Sequence, residues 1–204
     1  MILFIPALIK LIYFQVDSPY ADYKVIMYFW GMNAFEIHQV NKADLLELQA
    51  ISRQTFYDTF ADVNTPEDMQ QYLEENLSIE QLTKEWINPS TNFYFVKQLD
   101  KVLGYLKINE ADAQTELREE ASLEIERIYI QKEFQGKGIG QYLLDFSIQL
   151  TIDKEFKLIW LGVWEHNLNA IHFYQKNNFQ FFGKHSFFLG QDEQTDLLME
   201  LRLS

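Results

Sequence analysis

Residues 123–140 read LEIERIYIQKEFQGKGIG, an apolar segment that leads into a glycine-rich turn. Leu123–Ile130 is rich in β-branched and aromatic residues and predicts a strand. The turn Gln135–Gly140 follows, and Ile139–Ile152 has the apolar spacing of an amphipathic helix. Glycine lets backbone N–H groups approach an anion, and a helix N-terminus adds a favourable dipole. The stretch therefore predicts an anion-binding turn between a strand and a helix, although a structural turn would also explain one or two of the glycines.

The remaining elements predict one α/β domain built on a mixed sheet. Further strands are indicated over Phe35–Val40, Asn92–Gln98, Val102–Asn109, Leu158–Trp164, Phe179–Gly183 and Leu197–Leu203. Further helices are indicated over Lys42–Phe60, Pro66–Glu75, Ser78–Trp86 and Ala170–Asn177. Asn41, Thr65 and Ser78 are the expected N-caps.

The composition excludes several kinds of site. The 204 residues include no cysteine, which removes disulfides, thiolate metal ligands and cysteine nucleophiles and suits a cytoplasmic protein. The four histidines lack ligand spacing, so no metal site is predicted. A net charge of −13 repels nucleic acid and anionic membranes and attracts cations, although acidity also simply maintains solubility.

The N-terminal region differs from the rest of the chain. Met1–Tyr13 and Tyr23–Trp30 are apolar, but neither reaches the roughly 20 residues that a membrane-spanning helix needs. The first residues lack the basic region and the small-residue cleavage site of a signal peptide, so a signal peptide is not predicted. We expect the domain to occupy residues 32–204, with residues 1–31 as a packed extension or a misassigned start, and we expect no membrane association.

Two blocks of sequence carry a resemblance to one family. Ile128-Tyr129-Ile130, followed by Gln135, Gly138 and Gly140, is similar to the acetyl-CoA motif (R/Q)-x-x-G-x-(G/A), which follows a strand in the GNAT superfamily of N-acetyltransferases. Trp164–Tyr174, followed by Asn178-Phe179, is similar to its run N-x-x-A-x-x-F-Y…G-F. Asn178 stands where the family usually has glycine, but asparagine also tolerates the left-handed conformation of a helix C-terminus. The resemblance covers residue 35 to the C-terminus.

This resemblance implies a mostly antiparallel mixed sheet flanked by helices, with acetyl-CoA as co-substrate. The implied cofactor-binding residues are Ile128, Tyr129, Ile130, Gln135, Gly136, Lys137, Gly138, Ile139, Gly140, Asn167, Ala170 and Tyr174. In the family, strand backbone groups such as those of Ile128 and Ile130 pair with the pantetheine arm. The amides of Gln135–Gly140 would hold the pyrophosphate, and Asn167 would bind pantetheine or separate the strands.

The resemblance also implies direct acetyl transfer to an amine within a ternary complex. Tyr174 would protonate the departing CoA thiolate, although by its spacing alone it would be a core aromatic residue. Glu124 or Glu126 would be the general base, and the alternation of the strand places both on one face. The same alternation places Arg127 and Tyr129 on the opposite face. An acidic pair that faces solvent is the competing interpretation.

The acceptor is expected to be a small cationic amine such as a polyamine. In the family the helices after the first strand form a wall of the acceptor pocket, and here they are strongly acidic. Arg53–Phe60 and Asn64–Met69 also resemble bacterial spermine/spermidine N-acetyltransferases. Carboxylates around a cleft would concentrate a polycation, although they are equally typical of solvated helix faces. A protein N-terminus or lysine is the alternative acceptor, and a non-catalytic CoA-binding module is the alternative of another class.

The C-terminal part of the chain carries an aromatic cluster. Its members are Phe179, Phe181, Phe182, Phe187 and Phe188. GNAT proteins often dimerise through exposed strands, so these rings predict either a homodimer surface or part of the core.

Overall fold

The computed structural model describes residues 35–116, 120–189 and 192–203, and the predicted extension of residues 1–31 lies outside them. The strands are β1 (Glu36–Gln39), β2 (Thr91–Gln98), β3 (Lys101–Glu110), β4 (Ser122–Ile130), β5 (Leu158–Trp164), β6 (Gln180–Leu189) and β7 (Asp192–Arg202). The helices are α1 (Leu45–Phe60), α2 (Pro66–Glu75), α3 (Ile79–Ile87), α4 (Ile139–Asp153) and α5 (Leu168–Lys176). The predicted mixed α/β fold is confirmed.

The sheet has the order β1-β2-β3-β4-β5-β7-β6. Only the pair β4–β5 is parallel among the described strands, and every other neighbouring pair is antiparallel. Helix α4 connects these two strands as a crossover, which is the usual connection between parallel neighbours.

Local sequence signals fix several helix ends as predicted. The Thr65 hydroxyl accepts a hydrogen bond from the Asp68 N–H (3.1 Å), and Pro66 opens α2. The Ser78 hydroxyl caps α3 in the same way. Asn41 caps a short 3₁₀ turn that precedes α1, so the predicted helix over residues 42–60 is divided into two pieces. Asn178 has φ +66°, which confirms its left-handed conformation after α5.

The last two strands are longer than the sequence predicts. Predicted strands over Phe179–Gly183 and Leu197–Leu203 become the ten-residue β6 and the eleven-residue β7. The part added to β7, residues 192–196, is entirely polar, and the part added to β6, residues 184–189, has no regular alternation of apolar and polar residues. Both parts form strands because the ladder between β6 and β7 satisfies their backbone groups.

Apolar cores cover both faces of the sheet. On one face, Leu143 and Leu144 of α4 and Ile171 of α5 pack against strand residues such as Ile125. On the other face, α1, α2 and α3 pack against residues such as Phe93. Each helix therefore buries one apolar face against the sheet, and no described helix is long and apolar enough to cross a membrane.

A β-bulge in β4 changes the orientation of the residues that follow it. Lys107 of β3 lies opposite Arg127, whereas its neighbour Ile108 lies opposite Ile125, so Glu126 is the extra residue. Glu126 and Arg127 consequently point to the same face, toward α3, where Arg127 contacts Glu85. Tyr129, two residues on, lies on this face as well, stacked on Tyr105. The prediction that Arg127 and Tyr129 lie on the face opposite to Glu124 and Glu126 is therefore wrong.

Strands β4 and β5 separate immediately beyond this point. Their pairing covers only Ser122–Ile125, whereas β4 continues to pair with β3 as far as Ile130. The edge of residues 126–130 that faces away from β3 has no strand partner in the described part of the chain. This edge can accept an extended ligand as an added strand.

The aromatic cluster is divided between core, cavity and surface. Phe179 is buried in the core, and Phe187 and the more exposed Phe188 line a cavity that is described below. Phe181, Phe182 and Phe188 are exposed on β6, which is an edge strand. A homodimer through this edge stays a prediction.

Two glycine substitutions test this packing. A Cβ at Gly104 would lie 2.5 Å from the carbonyl oxygen of Tyr129, so G104A should lower the free energy of unfolding by about 1–3 kcal/mol. A Cβ at Gly140, inside α4, would meet no atom within 4 Å, so G140A should raise it by about 0.5–1 kcal/mol. Urea unfolding measures both, and equal effects would contradict the packing around Gly104.

Candidate active site

A cavity of about 410 Å³ opens where β4 and β5 separate. Its size is typical of small-molecule sites. It brings together seven residues that the sequence nominates, namely Glu124, Glu126, Ile128, Tyr129, Asn167, Ala170 and Tyr174. The turn Gln135–Gly140 does not line this cavity; it follows the end of β4 and leads into α4.

The helical wall of the cavity is aromatic. Phe56 and Phe60 of α1 and Tyr72 of α2 line it, with the rings of Phe56 and Tyr72 stacked 4.1 Å apart. No acidic residue of α1, α2 or α3 is among the lining residues. The expectation that acidic helix residues surround the acceptor pocket is therefore wrong. Helices α1, α2 and α3 are amphipathic, so their apolar side chains face inward and most of their carboxylates face solvent.

The glycine-rich turn has the backbone that a pyrophosphate site needs. Gly136 and Gly138 have φ values of +73° and +83°, a conformation that favours glycine. A Cβ at either position would meet no atom within 4 Å, so the space above the turn is open. The first turn of α4 carries no acidic residue, so its positive end is free to attract an anion. These residues fit the phosphates of CoA.

Side chains within the turn serve the fold rather than lining the cavity. Gln135 donates a hydrogen bond to the carbonyl oxygen of Ile130 (3.1 Å), which ties the turn to the end of β4. Ile139 is buried in the core. Lys137 lies with its Nζ 5.0 Å from the centre of the Phe134 ring, at the surface. Backbone amides are therefore the groups that this turn presents to a ligand.

Helix α5 supplies a second set of predicted residues. Asn167 caps it by accepting a hydrogen bond from the Ala170 N–H (3.1 Å). Tyr174, two turns further on, is 5% exposed and lines the cavity, and its hydroxyl has no hydrogen-bond partner among the described residues. Burial raises the pKa of Tyr174 well above its usual range, so the hydroxyl stays protonated. The cap thus positions a protonated phenol at the cavity.

Glu126 belongs to a buried cluster of four charges. Lys107 Nζ lies 2.5 Å from Glu126 and 2.9 Å from Glu85, and Arg127 lies 3.1 Å and 2.9 Å from the same two carboxylates. Burial alone would raise the pKa of Glu126, but the charges of Arg127 and Lys107 outweigh it and lower that pKa. The carboxylate is therefore ionised but weakly basic.

Glu124 is 2% exposed, which excludes a solvent-facing acidic pair. One carboxylate oxygen accepts hydrogen bonds from the Asn109 side-chain amide and the Thr115 N–H, both at 3.0 Å. The other accepts a hydrogen bond from the Thr115 hydroxyl. Burial raises the pKa of Glu124 in spite of these donors, and the charge of Glu126 adds to the effect. This carboxylate is a buried anion without a cationic partner in the described part of the chain.

Sequence reasoning missed a third carboxylate. Asp196 of β7 lines the cavity, and burial raises its pKa to about 6, with His185 acting in the opposite direction. It shares the inner face of β7 with Leu198, two residues on. The predicted strand began at Leu197 and left Asp196 in a loop. A predicted strand that began one residue earlier would have placed the acidic Asp196 on an apolar face, which is unusual and would have marked it as a candidate.

The surroundings of Asp196 are also polar. His185 lies opposite Asp196 in the β6–β7 pair and contacts the Glu116 carboxylate through Nδ1. Trp164 lies opposite Asp196 in the β5–β7 pair, and its buried Nε1 has no hydrogen-bond partner among the described residues. Such an unmatched group is unusual and is consistent with a ligand site. Within the described residues, no group of three or more His, Cys, Asp or Glu is arranged to hold a metal ion.

The raised pKa of Asp196 predicts that this residue destabilises the free protein above pH 6. The unfolded carboxyl titrates near 3.8 and the folded one near 6, so the folded state loses stability as the pH rises between those values. D196N should therefore raise the free energy of unfolding by up to about 3 kcal/mol at pH 8, and by little at pH 4. Urea unfolding at both pH values tests this, with exposed Glu193 (E193Q) as control. An equal gain at both pH values would contradict it.

Comparison with known proteins agrees with this geometry. The model of the acetyltransferase (GNAT) family matches residues 51–179. An uncharacterized N-acetyltransferase in the pepI 3′ region of Lactobacillus delbrueckii subsp. lactis is 44% identical over 172 residues, which cover 84% of this chain and 99% of that protein. The spermine/spermidine N(1)-acetyltransferase of Bacillus subtilis (strain 168) is 38% identical over 64 residues, which cover 31% of this chain and 42% of that protein.

Solved structures share the fold. PaiA N-acetyltransferase from Thermoplasma acidophilum, in complex with coenzyme A, matches with a TM-score of 0.66 and 21% identity, covering 83% of this chain and 99% of that one. The family match spans the glycine-rich turn and the α5 block that the sequence nominated. The chain therefore belongs to the GNAT family and is an N-acetyltransferase that uses acetyl-CoA as its co-substrate.

Proposed function

We propose that this enzyme transfers the acetyl group directly to a primary amine of a small cationic molecule such as a polyamine. The observation that carries the proposal is the charge balance of the cavity. Transfer takes place in a ternary complex, and the proposed compartment is the cytoplasm, where acetyl-CoA is available.

The charge balance follows from the pairing within the cavity wall. Lys107 and Arg127 are matched by Glu85 and Glu126, so this cluster is close to neutral. Glu124 and Asp196 remain, and neither has an ion-pair partner among the described residues. A buried carboxylate without a cation is costly, and an ammonium group in the cavity would relieve that cost. The cavity therefore favours a cationic ligand.

The aromatic residues around these carboxylates suit the same ligand. Tyr72 from α2, Trp164 from β5 and Phe187 from β6 line the cavity. Aromatic faces attract cations, and their apolar surface also suits the methylene segments of an alkylamine. A flexible polyamine has both features, with charged nitrogens separated by short apolar chains.

Two further observations support a polycation. The partial match to a spermine/spermidine N(1)-acetyltransferase covers 64 residues. The exposed acidic residues of the helices do not touch the cavity, but a net charge of −13 attracts cations over longer distances. The helices would thus contribute to encounter, whereas the cavity would contribute recognition.

We assign the roles of the cofactor-side residues from their positions. Free backbone groups on the edge of Ile128 and Ile130 would pair with pantetheine, and an N–H of this edge would donate to the thioester oxygen as negative charge develops there. The amides of Gln135–Gly140 would hold the pyrophosphate, and Asn167 would bind pantetheine. Tyr174, which is protonated and has no hydrogen-bond partner among the described residues, would donate its proton to the CoA thiolate.

Thiol release from acetyl-CoA in the presence of an amine panel tests the substrate proposal. The panel contains spermidine, spermine, putrescine, free amino acids, aminoglycosides and a basic peptide. We expect turnover to be greatest with the polyamines, and KM for them to rise several-fold between 50 and 300 mM salt because screening weakens charge attraction.

The outcomes separate the alternatives. Turnover with the peptide and none with polyamines would replace this proposal by a protein acetyltransferase. CoA binding without thiol release for any amine would favour a binding module. A neutral-amine preference would contradict the argument from charge.

The role of Tyr174 is tested by Y174F. Loss of the proton donor should lower kcat by about 100-fold or more, while the dissociation constant for CoA stays unchanged. Y57F is a suitable control, because Tyr57 is exposed on α1 and does not line the cavity. Full activity of Y174F would remove Tyr174 from the reaction.

A further inference from the structure

We infer that Asp196 is the general base that takes a proton from the acceptor ammonium, a role that rests on the proposed transfer to an amine. Neither the family resemblance nor the sequence pattern nominates this residue. The inference comes from the position of Asp196, from its lack of hydrogen-bond and ion-pair partners among the described residues, and from the partners that occupy Glu124 and Glu126 on β4.

The position of Asp196 is built into the sheet. It lies opposite Trp164 of β5 and opposite His185 of β6, and all three line the cavity. The carboxylate extends over Gly162, where a Cβ would lie 3.1 Å from Asp196 Oδ2. Because Gly162 has no side chain, the Asp196 carboxylate has room above it. This position lies beyond the last residue of β5 that pairs with β4, where the two strands separate.

The partners of the three cavity carboxylates differ. Glu126 is held by Lys107 and Arg127, which reduces its basicity. Glu124 accepts hydrogen bonds from Asn109 and Thr115 on both of its oxygens. Among the described residues, Asp196 has neither a hydrogen bond to its side chain nor an ion pair. A base needs a free oxygen within reach of the substrate proton, and Asp196 meets this condition best.

The electrostatic surroundings support the same assignment. The titratable and charged groups that face the cavity around Asp196 are His185 from β6, Glu124, Glu126, Arg127 and Tyr129 from β4, Tyr72 from α2, Tyr105 from β3 and Tyr174 from α5. Arg127 is already neutralised within its cluster, and the tyrosine hydroxyls are uncharged. Burial therefore dominates and raises the pKa of Asp196 to about 6, so the carboxylate is ionised at pH 7 yet more basic than a solvated one.

The proton balance of the reaction is complete with these groups. Asp196 accepts one proton from R–NH₃⁺, which frees the nitrogen lone pair to form a bond to the thioester carbon. The carbon–sulfur bond breaks, and its electron pair leaves with sulfur, which takes a proton from Tyr174. The new amide nitrogen loses its second proton, which restores the Tyr174 hydroxyl, and Asp196 releases its proton to solvent. The net products are the N-acetyl amine, CoA thiol and one proton.

The test is D196N, assayed with acetyl-CoA and spermidine from pH 5 to pH 9. In the wild type, kcat/KM, which reports the free enzyme, should rise with pH through about 6 and then level off. In D196N, kcat at pH 7 should fall by about 100-fold or more, and the rise near pH 6 should disappear. The dissociation constant for CoA, measured by calorimetry, should not change. The stability measurement described above shows separately that the variant folds.

The matched variant is E124Q, which removes the other cavity carboxylate that lacks a cation. It should retain the rise in kcat/KM near pH 6, whatever its effect on the plateau value. If E124Q loses that rise and D196N keeps it, Glu124 is the base and the inference fails. A higher KM for D196N with unchanged kcat would reduce Asp196 to an ammonium-binding residue, and wild-type activity in D196N would exclude both roles.

Failure of the proposed function is recognised on the wild type alone. If the wild type releases no thiol with any amine of the panel, the acetyl-transfer proposal fails, and the base assigned to it fails as well. If the wild type is active and D196N behaves as the wild type does, only the assignment of Asp196 is overturned.

Discussion

The extra residue at Glu126 determines how β4 can be used. Before it, β4 pairs with strands on both sides, and after it the strand pairs with β3 alone. The bulge increases the local twist, and the neighbouring strand β5 continues instead beside β7. One local irregularity therefore produces both a free backbone edge for an extended cofactor arm and the cavity beside it. The glycine-rich turn and α4 follow at the end of that edge, so the anion site is positioned by the same strand.

The bulge also brings Glu126 and Arg127 to one face, where they meet Lys107 and Glu85. Burying four charges is costly, and such a cluster adds little to stability compared with an apolar replacement. The cluster matters for the site through charge rather than through stability. Because the two cations are fully engaged, neither is available to neutralise Glu124 or Asp196. The negative character of the cavity therefore comes from strand residues. Among the described acidic residues of the helices, Glu85 of α3 helps to engage the two cations, and the exposed ones contribute the long-range field of the chain.

Much of the fold was predictable because the signals are local. Caps at Thr65 and Ser78, the turn at Gly136–Gly140 and the left-handed Asn178 depend on a few neighbouring residues. The orientation of Arg127 was not predictable, because alternation assumes an unbroken period of two and a bulge leaves no clear mark in sequence. Asp196 was missed for a related reason: its strand is held by a hydrogen-bonded ladder at the sheet edge, which polar residues do not interrupt.

An enzyme that acetylates an ammonium group faces two opposing demands. The substrate must be attracted as a cation, yet it must attack as a neutral amine. A carboxylate that is paired with cations, such as Glu126, meets neither demand, because its partners cancel its charge and lower its pKa. A buried carboxylate without a cation meets both, because its charge attracts the ammonium while burial increases its affinity for the proton. The cost of burying the charged carboxylate therefore has two effects: it destabilises the free protein, and it makes the group a stronger base. Binding of the cationic substrate relieves that cost.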